Sequence, residues 1–262
     1  MRNIDYRFIE KANLPQNDVK HCVIAEDGKK AKEFLNKIGI ETLKVEKSFK
    51  LDNEISSHTD LLFSYCGEKR AVIAPNQTIL SKSLKGLGCR VEVAEFEPFS
   101  PYPNDILLNS AIINEYMICK TNATSKLLLN LAEQNNINIL DSKQGYSKCS
   151  ICVVNENAII TEDNGIVRLL KNSQINILKI EGGFISLSDS HTGFLGGASG
   201  KIGKDKLFFN GNLEEHPSFE AIKNFLDLHN VKPVYDKSYK LTDIGSIIPI
   251  TEKFWLIMIK SA

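Results

Sequence analysis

Short apolar runs recur along the chain at intervals of roughly 40-odd residues, and each is followed by the same succession of patterns. Residues 22–25 precede an amphipathic stretch over 29–38 and a second apolar run at 42–45. The same order returns at 71–74, 78–84 and 91–94, and at 116–120, 123–134 and 137–140. Two further copies occupy 158–161, 165–170 and 175–180, then 207–210, 216–229 and 231–235. Within the amphipathic stretches the apolar positions follow helical spacing: Ile79, Leu80, Leu84 and Leu87; Leu127, Leu128 and Leu131; Phe219, Ile222, Phe225 and Leu226. Another strand-like run precedes most of these units, at 60–64, 105–108, 150–154 and 244–250. Turn-forming segments at Gly67, Asn114, Asn155 and Gly203 make hairpins of these pairs. The predicted unit is therefore strand–strand–helix–strand. No single unit can bury its own apolar face, so the repeat implies a stacked array or a closed ring.

Counting elements favours closure. The N-terminal segment supplies a helix and a strand, whereas the C-terminal segment supplies a hairpin over 243–259 without a helix. Joined, they complete a fifth unit. Both 22–25 and 254–259 read as second strands of that unit, which leaves one strand without a place. No linker of proline, glycine and serine interrupts the repeats. The expectation is one domain over 1–262, with repeats at about 58–101, 102–145, 146–188, 189–240, and 241–262 closed by 1–57.

Charge narrows the range of functions. Lysine plus arginine number 32 and aspartate plus glutamate 32, which argues against a broad nucleic-acid-binding face. The apolar runs are far shorter than a membrane span, and residues 1–14 contain no apolar targeting core, so a cytoplasmic location is expected. Six cysteines are scattered, and Cys149-Ser-Ile-Cys152 alone has a metal- or redox-like spacing; buried thiols are the expectation. The five histidines form no chelating pattern, so neither metal nor cofactor is expected. The glycine-rich run 196–203 with Lys201 lacks the spacing of a phosphate loop and reads as a hairpin.

Five strand–strand–helix–strand units closed head to tail resemble the pentein fold, a five-bladed α/β propeller around a pseudo-fivefold axis. That fold belongs to the guanidine-modifying enzyme superfamily: arginine and agmatine deiminases, dimethylarginine hydrolases, amidinotransferases and the ring-shaped translation initiation factor six. The resemblance implies a His-x-Asp motif in a late repeat, a nucleophilic cysteine near the C-terminus, and acids that grip a guanidinium. Here the late repeat reads Asp189-Ser-His191-Thr-Gly193, with His191 at the family histidine's place and glycine at the acid's. The nucleophile segment reads Asp243-Ile-Gly245-Ser246, with no cysteine after Cys152. Ser246 is a substitute nucleophile with no base evident in the sequence. His58-Thr-Asp60 keeps the His-x-Asp spacing in an earlier repeat, and Glu181-Gly182-Gly183 is similar to the family's acidic guanidinium-binding turn, with Phe184 replacing the second acid.

Eleven residues before each presumed second strand stand Asp60, Asp105, Ser147, Gly196 and Asp243. In a closed ring these positions enter the central channel, where clustered carboxylates need a cation or shared protons. The reading is a pentein-fold protein without the family cysteine. It binds a small polar or cationic molecule through His58, Asp60, Asn104, Asp105, Glu181 and Asp243, with His191 the candidate catalytic base. Two alternatives stay open: an atypical amidinohydrolase or amidinotransferase using His191, and a non-enzymatic ring that docks a protein or the ribosome. No membrane or nucleic-acid partner is expected, and the oligomeric state is left undetermined.

Overall fold

The computed structural model of the chain describes residues 4–188 and 191–255. It opens with β1 (Ile4–Phe8), β2 (Val19–Ile24), α1 (Lys29–Lys37) and β3 (Glu41–Lys44). The next unit comprises a helical turn, α2 (Thr59–Leu62), then β4 (Phe63–Gly67), β5 (Arg70–Ile73), α3 (Thr78–Gly86) and β6 (Arg90–Val93). After it come β7 (Ala111–Ile113), β8 (Tyr116–Cys119), α4 (Lys126–Gln134) and β9 (Asn138–Asp141). A second helical turn, α5 (Ser147–Ser150), leads into β10 (Ile151–Asn155), β11 (Ala158–Thr161), α6 (Asn164–Leu169) and β12 (Asn176–Lys179). The chain then forms β13 (Ser199–Gly203), β14 (Lys206–Phe209), α7 (Phe219–Leu228), β15 (Lys232–Tyr235) and β16 (Ile248–Trp255).

These elements build five small sheets of a mixed α/β fold. Four are three-stranded, ordered β4-β5-β6, β7-β8-β9, β10-β11-β12 and β13-β14-β15. Each pairs its first two strands antiparallel and its second and third parallel. A parallel pair cannot close through a tight turn, so the amphipathic stretch of every repeat becomes the crossover helix. Third strands β3, β6, β9 and β12 share one burial pattern, exposed ends around a half-buried middle. Charged residues on them blunt the outer edge of each sheet. Inter-repeat acids cap the helices: Glu95 accepts the Leu127 N–H at 2.8 Å, and Glu46 that of Ile79 at 2.7 Å. Both offer negative charge to a helix N-terminus, where the backbone N–H groups lack partners.

The fifth sheet has four strands, ordered β1-β16-β2-β3, and draws on both chain ends. Here the structure corrects the expected C-terminal hairpin. Ile248–Trp255 is one strand, antiparallel to β1 and β2, and residues 256–259 lie outside the described residues. The polar triplet that read as a turn is Thr251-Glu252-Lys253. Its Glu252 is buried, where it accepts bonds from Arg7 Nε at 2.7 Å and from the N–H groups of Gln16 and Asn17. The surplus strand is therefore β1, with Phe254 finishing the first strand of this sheet. First strands also begin later than their apolar runs suggest. Asp60 lies in α2, and 105–108 form irregular structure ahead of β7. Along the interior, β7 neighbours β10, β10 neighbours β13, β13 neighbours β16, and β16 neighbours β4.

Candidate functional site

The segments that immediately precede the five first strands meet in the middle of the molecule. Asp60, before β4, is 1% exposed, and its Oδ2 accepts from Ser246 Oγ at 2.7 Å and from Cys149 Sγ at 3.1 Å. Ser246 precedes β16 and Cys149 precedes β10. Lys148 Nζ donates to Ser246 Oγ at 3.0 Å. Asn109, before β7, donates from Nδ2 to Cys149 Sγ at 3.2 Å and accepts the Lys148 N–H at 2.7 Å. The segment before β13 closes the group: Gly197 N–H donates to Cys149 O, and Gly197 O accepts the Ser246 N–H at 2.7 Å. Every one of these side chains is buried.

Asp243 forms the neighbouring wall. Its oxygens accept the N–H groups of Gly245 at 2.8 Å and Phe194 at 2.9 Å, and His58 Nδ1 stands 3.9 Å from its Oδ1. Close backbone approach explains the glycine run. A Cβ on Gly197 would lie 2.0 Å from Asp243 Oδ1, and one on Gly245, at φ +72°, would lie 2.5 Å from the His58 Cα. Those glycines serve contact with protein atoms. Further out, Glu162 is half-buried and accepts the Leu195 N–H at 3.1 Å, while Asp105 accepts from the Tyr146 hydroxyl.

Burial governs the ionisation of the whole group. It pushes the Asp60 carboxyl up, with the Asp243 charge adding to that and His58 and Lys148 opposing it. Asp243 rises to about 6 through burial, moderated by its two backbone N–H donors. Glu162 rises to about 7, chiefly by burial, with Asp243 repulsion contributing. The Asp105 carboxyl is also raised by burial and partly brought back by Tyr146. Burial lowers His58, and it pushes the Cys149 thiol well up, reinforced by the charges of Asp60 and Asp243. The resting centre thus holds a neutral imidazole and a protonated thiol among carboxyls that ionise at a cost. Asp60 Oδ1 and Asp105 Oδ1 are buried without a hydrogen-bond partner.

The sequence-derived residues divide sharply. His58, Asp60 and Asp243 come together, and Asp105 is buried against Tyr146. Asp243 keeps its place although the count from Phe254 does not hold, because it still precedes a first strand. Asn104 is exposed, and its side chain bonds Pro101 O within its own turn. Glu181 is exposed two residues beyond β12, as Glu46 and Glu95 stand beyond β3 and β6. Its neighbours His216 and Ser218 lead into α7, so it occupies the inter-repeat position near a helix start. His191 is exposed and pairs with Glu54 at 3.0 Å; its expected neighbour Asp189 lies outside the described residues. A cysteine is present at the centre after all. Cys149 arrives from the 146–188 repeat, two residues beyond Ser147, and the ring equivalence that singled out Ser147 was the signal pointing to it.

A family model matches residues 23–248, nearly the whole repeat array. The chain belongs to DUF6873, a family of unknown function. No curated protein matches it. Among solved structures, this DUF6873 member is similar to C. jejuni agmatine deiminase with substrate bound, at TM-score 0.58 and 10% identity over 96% of this chain and 98% of that one. It is similar to the Streptomyces griseus inosamine-phosphate amidinotransferase at TM-score 0.56 and 8% identity, covering 92% and 94%. An amidinotransferase of the saxitoxin pathway from Microseira wollei gives TM-score 0.55 and 10% identity over 87% and 91%. These are pentein-fold amidinotransferases and deiminases, and the likeness establishes a shared fold. Among the described residues no helix is long and apolar enough to cross a membrane.

Proposed function

We propose that the five sheets form a single-domain pentein-type ring, and that its acidic centre binds a small organic cation bearing a guanidinium or amine group. The observation that carries this reading is the charge imbalance at the centre. Asp60 and Asp243 are buried together, the Asp243 charge also acts on half-buried Glu162, Asp105 is buried against Tyr146, and Lys148 is the cation hydrogen-bonded into the network. A bound cation would relieve the cost of ionising those carboxyls and supply a partner to Asp60 Oδ1. One structural relative, the agmatine deiminase with substrate bound, supports the ligand class.

Ordinary cysteine-dependent guanidine chemistry is not part of this reading. Burial and two carboxyls keep the Cys149 thiol protonated, whereas nucleophilic attack needs a thiolate. A second reading rests on one contact, the 3.1 Å hydrogen bond from Cys149 Sγ to Asp60. In it Asp60 takes the thiol proton once a cationic substrate is bound, the Cys149 sulfur bonds to the guanidinium carbon, and as the C–N bond breaks the departing amine takes that proton from Asp60. Free buried cysteines fit the reducing cytoplasm in either case.

Thermal unfolding with arginine, agmatine, methylated arginines and polyamines tests the first reading. A ligand at 100 times its Kd should stabilise the protein by about 2.7 kcal/mol. The gain should disappear in Asp243→Asn and shrink in Asp105→Asn. Equal stabilisation of all three proteins, or of none, overturns the acidic-centre reading. Citrulline, urea or ornithine release that is lost in Cys149→Ser selects the second reading.

A further inference from the structure

We propose that His58, Asp60 and Cys149 form a binding site for one thiophilic divalent metal ion of the zinc and cobalt class. This rests on the reading of the centre as a cation site, and it names a cation that a purely carboxylate cradle would not select. One ligand atom from each of the three residues lies within 4.8 Å of the others, and all three residues are buried. Donors around a tetrahedral zinc stand about 3.3–3.6 Å apart, given bonds of about 2.0–2.3 Å, so the group must draw in by roughly an ångström. The Cys149 Sγ to Asp60 Oδ2 separation is already 3.1 Å.

Three features beyond proximity favour a metal. The donor set mixes thiol, imidazole and carboxylate, which suits zinc or cobalt and disfavours magnesium or calcium, whose ligands are all oxygen. Asp60 Oδ1 is buried without a hydrogen-bond partner. Asp243 Oδ1 stands 3.9 Å from His58 Nδ1, near enough that a shift of about 1 Å would let this carboxylate accept from a ligating imidazole. Formal charge also closes. Two carboxylates and one thiolate balance a divalent ion together with the Lys148 ammonium. On coordination the Cys149 S–H bond breaks, the sulfur pair goes to the metal, and the proton leaves to solvent. Three protein ligands leave a fourth position for water or a small molecule, the arrangement of reactive rather than purely structural zinc sites. The four residues come from three separate repeats, which is why the histidine spacing in the sequence shows no chelating pattern.

The test uses the full chain after dialysis against chelator, titrated with Co²⁺ and then Zn²⁺. The expected result is one equivalent of Co²⁺ with a near-ultraviolet thiolate-to-cobalt charge-transfer band, displaced by Zn²⁺. Cys149→Ser should lose that band, and Cys152→Ser should keep it. Asp243→Asn should weaken binding by about 10–100-fold while keeping the band. A wild-type protein without the band, or a Cys149→Ser protein that retains it, overturns the proposal. Should a variant fail to fold, wild-type protein alone decides the matter: Zn²⁺ at one equivalent must raise its unfolding temperature, and no rise overturns the site. Agmatine is titrated in parallel on metal-free protein. Stabilisation by agmatine without metal binding removes the metal site and leaves the acidic-centre reading standing. Metal binding without response to any organic cation does the reverse.

Discussion

Replacing Glu162 by glutamine should make the protein more stable at pH 8 and leave it nearly unchanged at pH 4. Glu162 is half-buried beside Asp243, and its carboxyl is raised from 4.5 to about 7. Below the lower value both native and unfolded chains hold the proton. Between the two, the unfolded chain ionises first, so the native state loses stability as pH rises; above about 7 the loss is complete. A displacement of that size corresponds to about 3 kcal/mol, and solvent screening of a half-buried group brings it to roughly 1–2 kcal/mol. The glutamine carbonyl can still accept the Leu195 N–H now bonded to Oε1. The variant should therefore show a higher urea midpoint at pH 8, and a melting temperature raised by about 2–6 °C. The matched pair of curves at pH 4 should nearly coincide. Equal midpoints at pH 8, or a gain of the same size at both pH values, would refute burial and Asp243 repulsion as the source of the raised carboxyl.

Other perturbations probe the same architecture. Gly197→Ala puts a methyl 2.0 Å from Asp243 Oδ1, and denaturant unfolding should show a loss of about 1–3 kcal/mol. Glu95→Ala removes the acceptor for Leu127 N–H and Ser125 Oγ; it should cost about 1 kcal/mol and speed amide exchange in the first turn of α4. Lys148→Met strips the cation from the Ser246–Asp60 network, raising the Asp60 carboxyl further, so its destabilisation should be larger at pH 8 than at pH 5 in paired urea titrations.

Much of the fold is legible because it is local and repeated. Second strands, crossover helices and third strands follow from apolar spacing within about 30 residues, and each recurs often enough to be recognised by comparison. The features that local pattern alone does not place are those whose environment lies far away. Thr251-Glu252-Lys253 looks like a turn by composition, yet Arg7 and the N–H groups of Gln16 and Asn17 satisfy Glu252 inside a continuous strand. Glu181 carries the local shape of a ligand turn, but its position matches the helix-facing acids Glu46 and Glu95. His191 stands where the pentein resemblance expects a histidine, and it sits at the surface paired with Glu54.

The sequence alone determined the repeating unit, the helices, and the notion that residues ahead of the first strands share one environment, since hydrophobic period and turn chemistry are properties of neighbouring residues. Only the tertiary structure decided which side chains meet there. Cys149 reaches Asp60 across 89 residues, Lys148 reaches Ser246 across 98, and Ser246 reaches Asp60 across 186. Such contacts depend on how five sheets pack against one another, and that packing also excludes the water that would have left these thiol, imidazole and carboxyl groups near their ordinary ionisation.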